Sequence, residues 1–124
     1  MKMLLIDVKN REVRMLEASS LKEYYKLIGC DIIDIVQRKI AGKYYEIICD
    51  DEGLLVDAPI LSAAWKTTKK PALFGNLLIA GEAIDGELTS ITTEDAKAIT
   101  GSIILCGVQG SDAIWPIVLL DEEE

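Results

Sequence analysis

The apolar residues of this chain come in short runs, and a turn signal soon closes nearly every one. Residues 3–8 are followed by Lys9-Asn10-Arg11, residues 31–40 by Ala41-Gly42, and residues 43–49 by Asp50-Asp51-Glu52-Gly53. Residues 74–80 end at Gly81, and residues 102–108 at Gln109-Gly110-Ser111-Asp112. Runs of this length suit β-strands, and Gly, Asn and Asp supply the backbone conformations that tight turns need. A parallel neighbour needs a crossover of about a dozen residues or more, so connections this short favour antiparallel pairing.

Two segments break the pattern with helical spacing. Leu21, Tyr24, Tyr25 and Ile28 recur at i, i+3, i+4 and i+7, which gathers them into one stripe. Ser20 and Glu23 stand three apart and form a capping box, and Gly29 suits the left-handed position after a helix. Thr92 with Asp95 repeats the capping arrangement, and Gly101 closes that segment. Residues 12–16 alternate as a second strand, 54–56 and 88–91 read as short extended pieces, and 82–87 as a polar bend. Residues 57–71, bounded by Pro59 and Pro71, read as irregular, with one or two helical turns within 61–68. Residues 113–120 are extended, and Pro116 suggests an edge strand because it has no N–H for a ladder. The expected fold is α+β: a mostly antiparallel sheet of about six to eight short strands, with two short helices packed on one face. At 124 residues the chain is expected to form a single domain, with a core over 1–100 and a strand extension and acidic tail over 101–124.

Charge divides the chain. Residues 1–70 hold 12 basic and 11 acidic residues, whereas residues 71–124 hold one basic residue, Lys97, against ten acidic ones. The net charge of −8 argues against direct binding to nucleic acid. There is no His, which removes the commonest general base and metal ligand. Cys30, Cys49 and Cys106 form no CxxC pair, so neither a zinc site nor a cofactor is expected. The odd cysteine count suits a reduced, cytoplasmic protein. The opening Met-Lys-Met-Leu-Leu-Ile meets Asp7 too soon for a signal peptide, and the longest uncharged stretch, 98–111, is too short to span a bilayer.

Several clusters invite a chemical reading, each beside a plainer one. Asp50, Asp51 and Glu52, with Asp57 nearby, can hold a hard cation, but a solvated hairpin turn accounts for them as well. Gly107, Gly110 and Ser111 follow a strand as a phosphate loop does, but no Lys completes a Walker motif. Trp65-Lys66-Thr67-Thr68-Lys69-Lys70 is the most informative stretch: the ring of Trp65 can stack on a base while Lys66, Lys69 and Lys70 neutralise phosphate. A solvated loop with Trp65 turned inward is the alternative. In the acidic part, Glu82, Asp85, Glu87, Glu94, Asp95 and Asp112 are candidates for a surface that meets a basic partner. Trp115, Ile117 and Leu119 are candidates for an interface between copies of the chain. Nucleophilic catalysis lacks a base, and no SxxK motif supplies one, so no catalytic residue is assigned.

Residues 3–99 resemble a small domain of unknown function found in proteins of phages, plasmids and other mobile elements of bacteria. The resemblance rests on the strand Leu4-Leu5-Ile6-Asp7-Val8, the short helix ending near Ile28, and the hairpin into Cys49-Asp50-Asp51-Glu52-Gly53 with Pro59 beyond it. It also rests on Phe74-Gly75-Asn76-Leu77-Leu78-Ile79-Ala80-Gly81 and on Leu88-Thr89-Ser90-Ile91-Thr92-Thr93-Glu94-Asp95. Many members carry Asn-Arg soon after the proline, where this chain has Leu61-Ser62. The resemblance implies a cytoplasmic accessory protein of a phage or mobile element, with no assigned catalytic residue. By analogy, the leading expectation is a non-enzymatic protein that binds and inhibits a host antiviral defence component, its acidic surface mimicking nucleic acid. The alternatives are an oligomeric protein that sequesters a defence signalling nucleotide, and a structural or regulatory module.

Overall fold

The computed structural model describes residues 1–53, 59–107, 110 and 112–122. The extended piece expected at 54–56 lies outside them, as do Val108, Gln109 and Ser111 of the glycine loop.

The strands β1 (Lys2–Asp7) and β2 (Glu12–Glu17) form the first hairpin, and α1 (Leu21–Ile28) follows. Ser20 accepts the Glu23 N–H as its cap, and Gly29 closes the helix at φ 79°. Next come β3 (Ile33–Ile40) and β4 (Lys43–Asp50), paired along their whole length. Their turn has φ 50° at Ala41 and 85° at Gly42, the positive-φ pair that matches strand twist. The remaining elements are β5 (Leu61–Trp65), β6 (Pro71–Phe74), β7 (Leu77–Ile84), β8 (Glu87–Thr89), α2 (Thr93–Thr100), β9 (Ile103–Gly107) and β10 (Ile114–Leu120).

These strands form two sheets. The first runs in the order β2-β1-β7-β4-β3, with β8 also paired to β7; the second runs β6-β5-β10-β9. All ladders are antiparallel except β10 against β5. The α+β class and the mostly antiparallel pairing stand. The expected single sheet of six to eight strands does not, because the described residues form ten strands in two sheets.

The core follows from the strand period of two. Leu4, Ile6, Tyr45, Ile47, Leu77 and Ile79 point to one face of the first sheet. Ala63, Val118 and Leu120 of the second sheet and Ile99 of α2 pack in the same cluster. Met3, Leu5, Ile48, Leu78 and Ala80 point to the opposite face, where Tyr24 and Ile28 of α1 join them. The expectation of two helices packed on one face is thus not met, because the buried residues of α1 and of α2 belong to different clusters. The second sheet covers much of the face on which both would otherwise lie.

Two local expectations are also corrected. Residues 61–68 are not helical: they form β5 and the start of its turn into β6. Nor is Pro116 on an edge strand, because β10 lies between β5 and β9. The β5 ladder begins only at Val118, so at Pro116 the strand is paired on the β9 side alone, which leaves room for a residue with no N–H.

Candidate functional site

The turn between β5 and β6 is built by its own backbone. Trp65 N–H donates to the Lys70 carbonyl at 3.0 Å and Lys69 N–H to the Trp65 carbonyl at 2.8 Å. Lys69 takes φ 61° to close the turn, and its ammonium bonds the Lys66 carbonyl. Of the three lysines, Lys69 is thus committed to the loop. Lys66 and Lys70 are exposed.

A second chain segment reaches this turn. Lys66 N–H donates to the Leu120 carbonyl at 2.8 Å, which fixes the end of β10 beside it. Two residues on, Glu122 Oε1 accepts the Thr67 N–H at 2.7 Å and the Thr68 N–H at 3.1 Å. Two adjacent N–H groups converging on one oxygen form a small anion nest, and a carboxylate of the same chain fills it. Slight desolvation pushes the Glu122 carboxyl up, but the hydrogen bonds from Thr67 and Thr68 outweigh it and hold the group below its usual range.

Arg38 approaches from β3 with its guanidinium carbon 5.9 Å from the centre of the Trp65 ring, within cation–π range. One guanidinium nitrogen donates to the Gln37 carbonyl at 2.8 Å, whereas Nε is buried with no hydrogen-bond partner among the described residues. Gln37, Arg38, Trp65, Thr68 and Glu122 together line a depression of about 270 Å³. Trp65 is half-buried, with the ring between the core and this depression. Sequence reasoning singled out Trp65 and the lysines but missed Arg38 and Glu122. Neither had a local signal, since Arg38 comes from β3 and Glu122 from just beyond β10, and both positions depend on sheet order.

Of the six acidic candidates, Asp95 is not on the surface. Asp95 is buried and its oxygens are taken: Oδ1 by Lys43 Nζ at 2.7 Å and Tyr45 O–H at 3.0 Å, Oδ2 by Thr92 N–H at 2.8 Å. Burial pushes the carboxyl up, but these donors win and hold it at about 2. Tyr45 moves upward, from burial first and then from its bond to Asp95. Asp95 is therefore a capping and packing residue, a correction to its place among the partner-facing acids. Glu82, Asp85 and Glu87 are exposed together on the β7–β8 hairpin, beside an exposed Ile84. Glu94 is exposed in the first turn of α2, and Asp112 before β10.

Trp115, Ile117 and Leu119 lie on β10 inside the second sheet, where Leu119 is paired with β5 and Trp115 and Ile117 with β9. Ile117 is buried in the chain itself. Asp50 Oδ1 accepts the Glu52 N–H at 2.9 Å, the bond of a self-capped turn. Among the described residues, no group of three or more His, Cys, Asp or Glu is placed to hold a metal ion. Burial, then Asp34, pushes the Cys49 thiol up to about 11, so it carries no thiolate for chemistry near neutral pH. No described helix is long and apolar enough to cross a membrane.

No curated protein and no solved structure matches this chain significantly. A family described as a domain of unknown function, DUF3846, matches residues 1–104, which takes in both helices, the whole first sheet and the β5–β6 hairpin that carries Trp65. The chain belongs to that family.

Proposed function

We propose that this protein is a non-enzymatic binding protein whose site is the Arg38–Trp65 depression, and that it takes a nucleotide-like ligand. The observation that carries this reading is a depression of about 270 Å³ lined by the Trp65 ring, the Arg38 guanidinium, Thr68 and Glu122, whose carboxylate gathers the Thr67 and Thr68 N–H groups at its rim. An aromatic face suits a base, and N–H pairs with nearby cations suit phosphate oxygens. Lys66 and Lys70, exposed on the same turn, add positive charge to a chain that is otherwise acidic. A depression of this size is small for a whole nucleotide, which leaves part of the ligand to solvent or to a second subunit. In this reading the protein sequesters a signalling nucleotide as a cytoplasmic accessory protein of a phage or mobile element. The test is calorimetric titration of the full chain with ADP and with cyclic and ADP-ribose-type nucleotides. Binding that Trp65→Ala or Arg38→Ala weakens at least tenfold supports the site. A panel with no binder, or binding unaltered by both substitutions, overturns it.

A second reading has its own observation. Glu82, Asp85 and Glu87 flank the 65% exposed Ile84 on one hairpin, an acidic patch with an apolar centre that suits a basic protein surface. In that reading the protein inhibits a host defence component by occupying its nucleic-acid-binding surface. Such a complex should weaken steeply as salt rises; an affinity that is flat between low and high salt counts against it.

A further inference from the structure

We propose that Glu122 is a built-in stand-in for the ligand's anionic group, so that the site is held closed by its own chain until a phosphate displaces this carboxylate. The inference rests on the site proposed above and adds how it is regulated.

The geometry is specific. A single oxygen, Glu122 Oε1, takes both the Thr67 and Thr68 N–H groups, at 2.7 and 3.1 Å. Those are the donors that the turn would present to an incoming oxyanion, since the neighbouring Lys66, Lys69 and Trp65 N–H groups already bond to backbone carbonyls. Lys70 N–H donates to the Thr68 hydroxyl at 3.3 Å. The carboxylate also lines the depression with Trp65 and Arg38, where its charge repels an anion approaching the same cations. Arg38 lines the same depression and supplies the positive charge that an incoming anion would meet there.

Glu122 is well suited to leave. It follows the end of β10, and Leu120 is the last residue of that strand. Asp121 is tied separately, its N–H to the Lys39 carbonyl at 2.8 Å and its Oδ2 to the Gly42 N–H at 2.8 Å. The side chain of Glu122 can therefore swing out while Asp121 keeps the backbone in place. Because a tethered occupant competes at a fixed effective concentration, it lowers apparent affinity for every anionic ligand by the same factor. Two charge-assisted hydrogen bonds make that factor about tenfold or more.

The experiment compares the full chain with Glu122→Gln and Glu122→Ala, titrating inorganic pyrophosphate and ADP by calorimetry and following the Thr67 and Thr68 amide resonances by NMR. The expected result is binding about tenfold tighter in Glu122→Ala, a smaller gain in Glu122→Gln, whose neutral oxygen still accepts, and shifts of both amides when pyrophosphate meets the unmodified chain. Equal affinity in all three proteins overturns the inference and leaves the site standing. Weaker binding in Glu122→Ala also overturns it, because Glu122 then shapes the turn instead of occupying it. No binding by any of the three removes the site itself, and the inference with it. Circular dichroism of each variant distinguishes a lost fold from a lost contact.

Discussion

Asp95 and Glu122 are two carboxylates held below their usual range by donors from the chain itself, yet they do different work. Asp95 is buried, and it joins the start of α2 to β4 through Lys43 and Tyr45. Its folded value of about 2 against an ordinary 3.8 makes it a contributor to stability above about pH 4. That contribution is lost as pH falls through 4 towards 2, because in that window the unfolded chain takes up the proton while the folded one still resists it. Asp95→Asn should cost about 1–3 kcal/mol at pH 7. It should also flatten the acid limb of a stability–pH curve measured by urea unfolding between pH 7 and pH 3. A variant with the full acid limb would show that other carboxyls carry it. Glu122, more open, is held by backbone amides of a turn, and its replacement should leave the fold intact. Asn76 is a third residue that joins segments: its Oδ1 accepts the Val8 N–H at 3.0 Å and its Nδ2 donates to the Leu27 carbonyl at 3.2 Å. It is buried, so Asn76→Leu should leave that amide unpaired and lower stability by about 1–3 kcal/mol in the same assay.

At the scale of elements, the hairpins owe their form to backbone conformations written plainly in the sequence. Asp85 and Gly86 adopt φ 52° and 80°, the tight turn that an Asp-Gly pair favours, so the polar bend over 82–87 is a two-residue hairpin turn. The β7–β8 ladder then needs a glycine at 81 for a different reason. A Cβ there would overlap Thr89 Oγ1 and stand 2.9 Å from the Ser90 carbonyl oxygen. The Thr89 side chain can rotate away, but the backbone cannot. Gly81→Ala should therefore destabilise the protein by about 1–3 kcal/mol in a denaturant titration, with the loss seen first as faster amide exchange in β8. Neutral stability would mean that the strand shifts freely. The β5–β6 hairpin was less legible. Leu61-Ser62-Ala63-Ala64-Trp65 has neither clean alternation nor strong β formers, and it is extended because β10 pairs beside it and the core takes Ala63.

The whole molecule closes around its last strands. Val118 and Leu120 are fully buried among residues of the first sheet, and β10 holds β5 to β9. The family match ends at residue 104, but the packing does not. A chain stopped at Gly101 would expose Ala63 and the face of Ile47 and Ile79, and it should fail to give a dispersed NMR spectrum or a cooperative thermal transition. Val118→Ala, a gentler probe, should cost about 1–3 kcal/mol. A truncated chain that melts cooperatively would show that the first sheet and α1 suffice.

The sequence alone determined the local alphabet. Short apolar runs and their turns set strand lengths, Ser20 and Thr92 set where the helices begin, and the period of two assigned Tyr45, Ile47 and Cys49 to one face. It also placed the aromatic and cationic residues of the candidate site in one turn. Only the tertiary structure decided that the strands divide into two sheets, that α1 and α2 lie on opposite faces, and that Asp95 is a buried anchor. It likewise brought Arg38 from β3 and Glu122 from beyond β10 to the Trp65 turn. The physical reason is range. Turns, caps and alternation act between residues a few positions apart, whereas sheet order, burial and the meeting of a carboxylate with two amides some 55 residues away depend on which strands find each other.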